Sequence, residues 1–355
     1  MRAQAIRSWA KQTGDETFIL RPLEASSRLY RLGTWAYNSI QRTWPGLHNG
    51  YFAFLEHARL HRRRFGILGA KRFSQVVNRM SPDVIVSVHA HLNHGYRDLA
   101  LRALPDKPPA FVVYCGELGD GPGFSRHWIN PRVDLFAAPT EETCRAALDR
   151  GMPEEKVFQA GLLLRPAFFE KPTKASLGKL VRETLKLDPK LPILALGTGA
   201  NGVNRHLQVI LSLRRSGLPA QVVALCGENR KTMRWLETIG DPPKVSLRIL
   251  PTRSDEEMSK ILRVASLLYA RPGAGTTSEA LACGTPILFD VSRGIMPQEQ
   301  NNLNFWERRT GQLVTARSPS DFPRLMHAPV RSLPWEQKET PLRFIEKLHE
   351  VVSSR

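Results

Sequence analysis

The stretch Arg271-Pro-Gly-Ala-Gly-Thr-Thr-Ser-Glu-Ala280, running on into Leu-Ala-Cys-Gly-Thr-Pro-Ile-Leu-Phe-Asp290, restricts the fold more than any other part of this chain. Ser266 to Ala270 before it is apolar and strand-like, and so is Pro286 to Phe289 near its end. Between the two lie a turn built from Pro272, Gly273 and Gly275 and a segment long enough for one short helix. Two buried strands joined through a helix make a parallel crossover, the unit of an α/β sheet covered on both faces. The glycines let backbone come close to a ligand. Thr276 or Thr277 suits the cap of the helix, whose free N–H groups and positive dipole end favour a phosphate. Glu279 is expected in the first turn of that helix, where a carboxylate can accept hydrogen bonds from both hydroxyls of a ribose. Phosphate with ribose means a nucleotide. An ordinary crossover with glycines for close packing would use the same residues without a ligand.

The rest of the C-terminal half repeats the pattern. Pro192 to Leu196 reads as a buried strand, followed by Gly197-Thr-Gly-Ala-Asn-Gly202 and a helical pattern from Val203 to Ser216. This second strand, glycine loop and helix again suits a diphosphate. Gln221 to Leu225 is a third strand, ending in Cys226-Gly-Glu-Asn229, at the edge where open α/β sheets meet ligand. Met296-Pro-Gln-Glu-Gln-Asn-Asn302 follows the strand Pro286 to Phe289. Gln298 and Glu299 are chemistry for gripping sugar hydroxyls; the same segment also reads as a polar loop capping a helix over Asn301 to Arg308. Strands are further expected at Phe18–Leu20, Val84–Val88, Phe111–Tyr114, Leu135–Ala138 and Val157–Gln159.

In this order, glycine loop, Cys-Gly-x-Asn, Pro-Gly-x-Gly-Thr, Glu and Gln-Glu-x-x-Asn, the chain resembles the UDP-sugar glycosyltransferases of family 28. Pro82-Asp-Val-Ile-Val-Ser-Val-His89 resembles that family's PDVVISVHP strand, Trp128-Ile-Asn-Pro131 its TWFHP segment, and Gly161-Leu-Leu-Leu-Arg-Pro166 its GLPVRP. The likeness spans nearly the whole chain and is closest to the monogalactosyldiacylglycerol synthases and diacylglycerol glucosyltransferases. It implies an α/β GT-B architecture of two doubly wound Rossmann-like domains facing a cleft. Residues 1–164 would be the acceptor and membrane-facing domain, and 165–326 the UDP-sugar domain. Residues 327–355 would be a tail whose last helix, Trp335 to Val352, can cross back to the first domain. The hinge would lie in Gly161 to Lys174.

The resemblance also implies roles. Glu279 would hold the ribose. Gly197, Thr198 and Gly199 would line the diphosphate, with Gly273, Ala274, Gly275 and Thr276 close by. Arg165 would reach the diphosphate from the hinge, Gln298 and Glu299 would hold the donor sugar, and Asn229 would lie in the base or diphosphate region. Glucose, galactose and N-acetylglucosamine suit Gln298 and Glu299 alike. The family needs no tightly bound metal, and the chain has no Asp-x-Asp motif and no His/Cys ligand spacing, so no cofactor is expected beyond the UDP-sugar itself.

The family's first domain opens with a strand and a glycine-rich loop ending in Gly-His, placed near the acceptor hydroxyl. This chain opens on Met1-Arg-Ala-Gln-Ala-Ile-Arg-Ser-Trp-Ala10, which looks like the helix after that loop, with Ala3, Ile6, Trp9 and Ala10 as its apolar stripe. Intact motifs elsewhere favour a natural chain that begins further upstream over a truncated one. Without the Gly-His, His89 is the candidate for acceptor-site proton transfer, with His91 and His94 beside it after the strand. Three histidines on a polar loop would look the same. Glu117 and Asp120, in the strand-end loop Tyr114-Cys-Gly-Glu-Leu-Gly-Asp-Gly121, are further candidates.

Composition narrows the partners. The 355 residues carry a formal net charge of +18, which suits an anionic surface. Arg62, Arg63 and Arg64 lie in a segment, Arg28 to Phe73, that interleaves basic residues with Trp35, Trp44 and other aromatics. That mixture suits the headgroup region of a membrane, and the resemblance places Trp128 with it on the acceptor side. No nucleic-acid motif is visible, so the expected partners are UDP-sugar, a lipid acceptor and an anionic membrane surface. No apolar run is long enough to span a bilayer and no signal peptide is seen, so a cytoplasmic, peripheral location is expected. The four cysteines, at 115, 144, 226 and 283, form no pairing pattern and are expected reduced and buried. The reading is an inverting hexosyltransferase acting on a diacylglycerol-like lipid. A non-catalytic UDP-sugar-binding protein and a UDP-sugar 2-epimerase stay open, and a basic nucleic-acid binder is more remote.

Overall fold

Four of the apolar runs in the first half form a wholly parallel sheet in a computed structural model of the chain, which describes residues 1–22, 56, 67, 69–198, 204–332 and 341–355. The strands are β1 (Val84–Ser87), β2 (Ala110–Tyr114), β3 (Leu135–Ala138) and β4 (Val157–Gln159), side by side in chain order. Every residue of β2 and β3 is buried, which is why both read as unbroken apolar runs and not as alternating ones. Their ladder pairs Val112 with Leu135 and Tyr114 with Ala137. This sheet belongs to a first unit, Met1–Arg165 with Met296–Asn301 and Gln337–Arg355.

Two terminal helices complete that unit. Arg2–Ala10 buries Ala5, Trp9 and Ala10, while Ala3 and Ile6 of the expected stripe are half-buried. It packs against the helix Leu342–Ser353, which also meets β2 through Phe344 and Tyr114, ring centroids 5.6 Å apart. The last helix therefore does return to the first domain. The Trp9 indole donates to the Leu164 carbonyl at 2.7 Å, and the Tyr114 hydroxyl donates to Gly161 O at 2.8 Å while accepting from Leu163 N at 3.0 Å. Two aromatic side chains thus fix the exit of the chain from this unit. Phe18–Leu20 is not a strand: it joins no ladder among the described residues, and Phe18 and Leu20 are 55% and 44% exposed. Its apolar content misleads because no neighbouring strand offers it hydrogen bonds.

The second unit, Pro166–Ile295 with Asn302–Glu336, holds a six-stranded parallel sheet. Its strands are β5 (Ile193–Leu196), β6 (Ala220–Gly227), β7 (Val245–Pro251), β8 (Leu267–Ala270), β9 (Ile287–Asp290) and β10 (Thr315–Ala316), in the order β10-β9-β8-β5-β6-β7. The chain runs outward from β5 through β6 to β7, then returns to lay β8 on the other side of β5. The boundary between β5 and β8 is therefore the topological switch point, where doubly wound sheets receive ligands. β7 and β10 are absent from the sequence expectations. Half-buried Ser246, Arg248 and Ile249 break the apolar run of β7, and β10 has only two residues.

Helix starts follow local chemistry. The helix Asp255–Val264 begins at a capping box, Ser254 with Glu257. The helix after β5 covers His206–Ser216 and stops at Gly217, whose φ is 65°. The helix expected over Asn301 to Arg308 is longer and starts earlier, at Pro297–Thr310. Pro297 needs no partner for a missing N–H in the first turn, and Glu299 reaches back to accept from Met296 N at 3.0 Å. Met296–Asn301, read from sequence as part of the second domain, groups with the first unit.

Candidate functional site

In the second unit the expected donor-side residues gather at the carboxyl ends of β5 and β8. Gly197 follows β5, and its N–H donates to Tyr269 O at 2.8 Å. A Cβ there would stand 3.0 Å from the Ala270 Cβ, so close packing of two strands by itself demands a glycine. The Thr198 hydroxyl donates to the Leu225 carbonyl and lies 3.2 Å from His206 Nε2, which itself meets Leu225 O at 2.9 Å. His206 is 1% exposed, and burial pushes its pKa down to about 4, so the ring is neutral and Nε2 carries the hydrogen. This buried histidine pins the start of the loop and is absent from the sequence candidates. Its only signal there is a polar residue at the head of an amphipathic helix. Gly199 lies outside the described residues.

The second glycine turn differs from its expectation in register. Gly273, not Thr276 or Thr277, is the N-cap of the helix Ala274–Cys283, and no side chain caps it. Thr277 is instead buried in the helix, and its N–H donates to Gly273 O at 3.0 Å. The N–H groups of Ala274, Gly275 and Thr276 open the helix with no capping side chain, which preserves the anion-favouring end. Glu279 consequently falls in the second turn, 9% exposed. Asn302, 1% exposed, holds the turn in place: its Nδ2 donates to Pro272 O at 2.8 Å. Asn229 is the N-cap of Arg230–Ile239, its side-chain oxygen accepting from Thr232 N at 3.0 Å, so its place at the end of β6 has a structural use.

Gln298, Glu299 and Arg165 belong to the first unit. Glu299 is 3% exposed and serves its own helix start, as above. The Gln298 Oε1 is buried with no hydrogen-bond partner among the described residues, as is Asn301 Nδ2. The loop ending in Gly121 and Gly123 seats this helix start. A Cβ on Gly123 would stand 2.2 Å from the Pro297 carbonyl carbon, and Gly123 N donates to Asn301 Oδ1 at 3.3 Å. Arg165 is the half-buried last residue before Pro166.

Among the acceptor-side candidates the structure separates Glu117 from Asp120. Asp120 Oδ1 takes Arg150 Nη2 at 2.6 Å and Gly121 N at 2.7 Å, which ties the loop together. Glu117 is held up in pKa by burial, against the opposing pull of the Arg2 guanidinium and a hydrogen bond from Trp128. Arg2 also donates to the Gly116 carbonyl. Trp128 is 5% exposed within the core of this unit, so it is buried and not part of a membrane-facing surface. His89 heads a short 3-10 turn, its Nδ1 accepting from His91 N at 3.3 Å. Its ring lies 5.5 Å from that of His91, which lies 4.9 Å from His127. His127, 3% exposed, was not among the candidates. Buried Asn93 joins these parts, accepting from Ser87 Oγ at 2.5 Å and donating to His127 O at 3.2 Å. Trp35, Trp44, Arg62, Arg63 and Arg64 lie outside the described residues. All four cysteines are buried free thiols. Among the described residues no helix is long and apolar enough to cross a membrane, and no cluster of three or more His, Cys, Asp or Glu is arranged to hold a metal.

Comparison with known proteins sets the chain beside lipid glycosyltransferases. Residues 30–163 match the family model of monogalactosyldiacylglycerol (MGDG) synthase. A processive diacylglycerol beta-glucosyltransferase of Bacillus licheniformis is 27% identical over 263 residues, 72% of this chain and 64% of that protein. Monogalactosyldiacylglycerol synthase 3 of Arabidopsis thaliana is 24% identical over 333 residues, 90% of this chain and 65% of that protein. The chain thus spans less than two thirds of the length of these relatives. Among solved structures, Arabidopsis thaliana UGT89C1 complexed with UDP aligns with a TM-score of 0.54 at 11% identity, over 80% of this chain and 77% of that one, a likeness of fold. The two parallel sheets of this chain are those of the GT-B glycosyltransferase fold, and the chain is similar to the monogalactosyldiacylglycerol synthases and diacylglycerol glucosyltransferases.

Proposed function

We propose that the protein transfers a hexose from a UDP-sugar to a hydroxyl of a diacylglycerol-like membrane lipid, with inversion at the anomeric carbon. In that reaction the acceptor oxygen bonds to C1 of the sugar while the bond from C1 to the phosphate oxygen breaks. The electron pair stays on UDP, and the acceptor's proton passes to a base. The observation that carries the reading is the second unit's switch point. An uncapped helix N-terminus at Gly273 stands there beside the Thr198 loop, with buried Glu279 one turn further along the helix.

On this reading the helix end takes phosphate, Glu279 takes the ribose hydroxyls, and the buried amide of Gln298 turns to the sugar. Glu117 and His89 are the groups available to accept the proton. Glu117 has the stronger case, because a desolvated carboxyl with a raised pKa is a better base once ionised. The lipid acceptor and the UDP-sugar are supported by what the relatives' names say of those proteins. A peripheral seat on the cytoplasmic face of an anionic membrane is supported by the net charge of +18.

Glu279→Ala tests the donor site. Titration calorimetry with UDP should show a loss of roughly 1–3 kcal/mol, the worth of charged hydrogen bonds. Unchanged affinity removes Glu279 from the site. Incorporation of labelled hexose from UDP-glucose and UDP-galactose into diacylglycerol tests the reaction, and UDP binding without incorporation selects the non-catalytic binder.

A further inference from the structure

Glu117, the stronger candidate base, has a cation of the first helix at its side. It lies just past β2, in a loop tied down from several directions. Cys115 N donates to Ala137 O of β3 at 2.8 Å, and the Thr143 hydroxyl, in the helix Glu141–Leu148, donates to Glu117 O at 2.8 Å. The Arg2 guanidinium comes from the helix Arg2–Ala10, 114 residues away in the chain, and donates to the Gly116 carbonyl. Trp9 and the helix Leu342–Ser353 hold that helix in the unit, so Arg2 extends from a fixed support. Gly116 makes the room: a Cβ there would stand where the guanidinium is. Close approach of a side chain, and not a left-handed backbone angle, is what this glycine permits.

Charge follows from this packing. Burial raises the pKa of Glu117, Arg2 is the larger influence that lowers it, and a hydrogen bond from Trp128 is the smaller. The other titratable groups beside the loop do not compete. Burial pushes the Cys115 thiol and the Tyr114 phenol up, so both stay neutral near pH 7. Asp120, further along the loop, is tied to Arg150. The guanidinium therefore weighs directly on whether Glu117 is a carboxylate able to take a proton or an acid that already holds one.

We propose that Arg2 is the positioning residue of Glu117: from the notch at Gly116 its guanidinium holds the loop and keeps the neighbouring carboxyl ionised. That Glu117 then serves as the base rests on the function proposed above; the hold of Arg2 on it does not. Gly116→Ala probes this hold directly, because the added methyl displaces the far end of a flexible side chain while Arg2 stays in the chain.

The test uses the full chain carrying carbon-13 at its glutamate carboxyls, titrated against pH by NMR. The Glu117 resonance is the one lost in Glu117→Gln. Arg2→Gln and Gly116→Ala should each raise its midpoint by about one pH unit or more, the effect of removing an opposite charge. Arg2→Lys, which keeps the charge and loses the fork, should fall between the parent and Arg2→Gln. Gly116→Ala serves if Arg2→Gln does not fold. A midpoint unchanged in the Arg2→Gln and Gly116→Ala variants overturns the proposal. Hexose transfer to diacylglycerol then separates the two readings. If Glu117 is the base, the acid limb of kcat/KM in Arg2→Gln moves up with the midpoint, about tenfold in rate per pH unit below it, and recovers above it. An arginine that merely braced the loop would slow transfer alike at every pH and leave the midpoint in place. A midpoint that rises while the acid limb of transfer stays put upholds the hold of Arg2 and takes the base role from Glu117.

Discussion

Thr198 and His206 share one carbonyl, Leu225 O, and this small arrangement has a pH signature. His206 is neutral when folded, with a pKa near 4, while an unfolded histidine titrates at about 6.5. Between those values the unfolded chain binds more protons, so stability rises with pH there. The contribution is complete above about pH 6.5 and is lost as pH falls towards 4, on the order of 3 kcal/mol in all. Melting temperatures at about pH 7.5 and pH 5 should therefore differ more in the parent than in His206→Gln, whose amide can still donate to the carbonyl. Parallel curves would mean that another group titrates. Asp120 and Glu117 show how much the partner matters at this scale. They are carboxylates of one loop, yet the first is spent on Arg150 and Gly121 N and the second is left desolvated beside Arg2 and Trp128.

Among the elements, the helix Pro297–Thr310 has a start that rests on tertiary contact. Its first turn rests on the loop Gly121 to Gly123, where a Cβ on Gly123 would overlap the Pro297 carbonyl and Gln298 N within 2.3 Å. Backbone cannot move aside as a flexible side chain can, so Gly123→Ala should destabilise by roughly 1–3 kcal/mol. It should also shift Gln298. Gly273→Ala, at φ −73° with nothing within 4 Å of the added carbon, meets no clash and should cost no more than about 0.5–1 kcal/mol, the N-cap preference for Gly over Ala. Chemical denaturation of both variants reads this contrast. Equal losses would show that the loop does not bear on the helix.

For the whole molecule, the charge of +18 decides which surfaces it can approach. At roughly 1 kcal/mol per basic residue near an anionic leaflet, reversing Arg62, Arg63 and Arg64 to Glu should remove several kcal/mol of membrane affinity. Co-sedimentation with phosphatidylglycerol vesicles measures this. Binding that survives the reversal would place the contact on another face. Added salt should weaken the parent's binding in the same assay, because exposed charges are screened within a Debye length.

From the residues alone the α/β class, most strands to within a residue or two and the glycine turn before Glu279 were legible. These depend on local composition: a buried parallel strand must be an apolar run, and a backbone that turns sharply must contain glycine. β7 and the early start of Pro297–Thr310 were not legible, because half-buried positions interrupt the first and a contact with Gly123 supports the second. The false strand at Phe18–Leu20 has the same origin, since apolar residues make a strand only where a neighbour can pair with them. At the site, single residues were visible but their company was not. Which carboxylate is tied up, that Trp128 is core and that His206 holds Thr198 were decided by tertiary structure. Residues far apart in the chain are brought together there by the crossing order of strands, and burial then sets their charge and hydrogen-bonding.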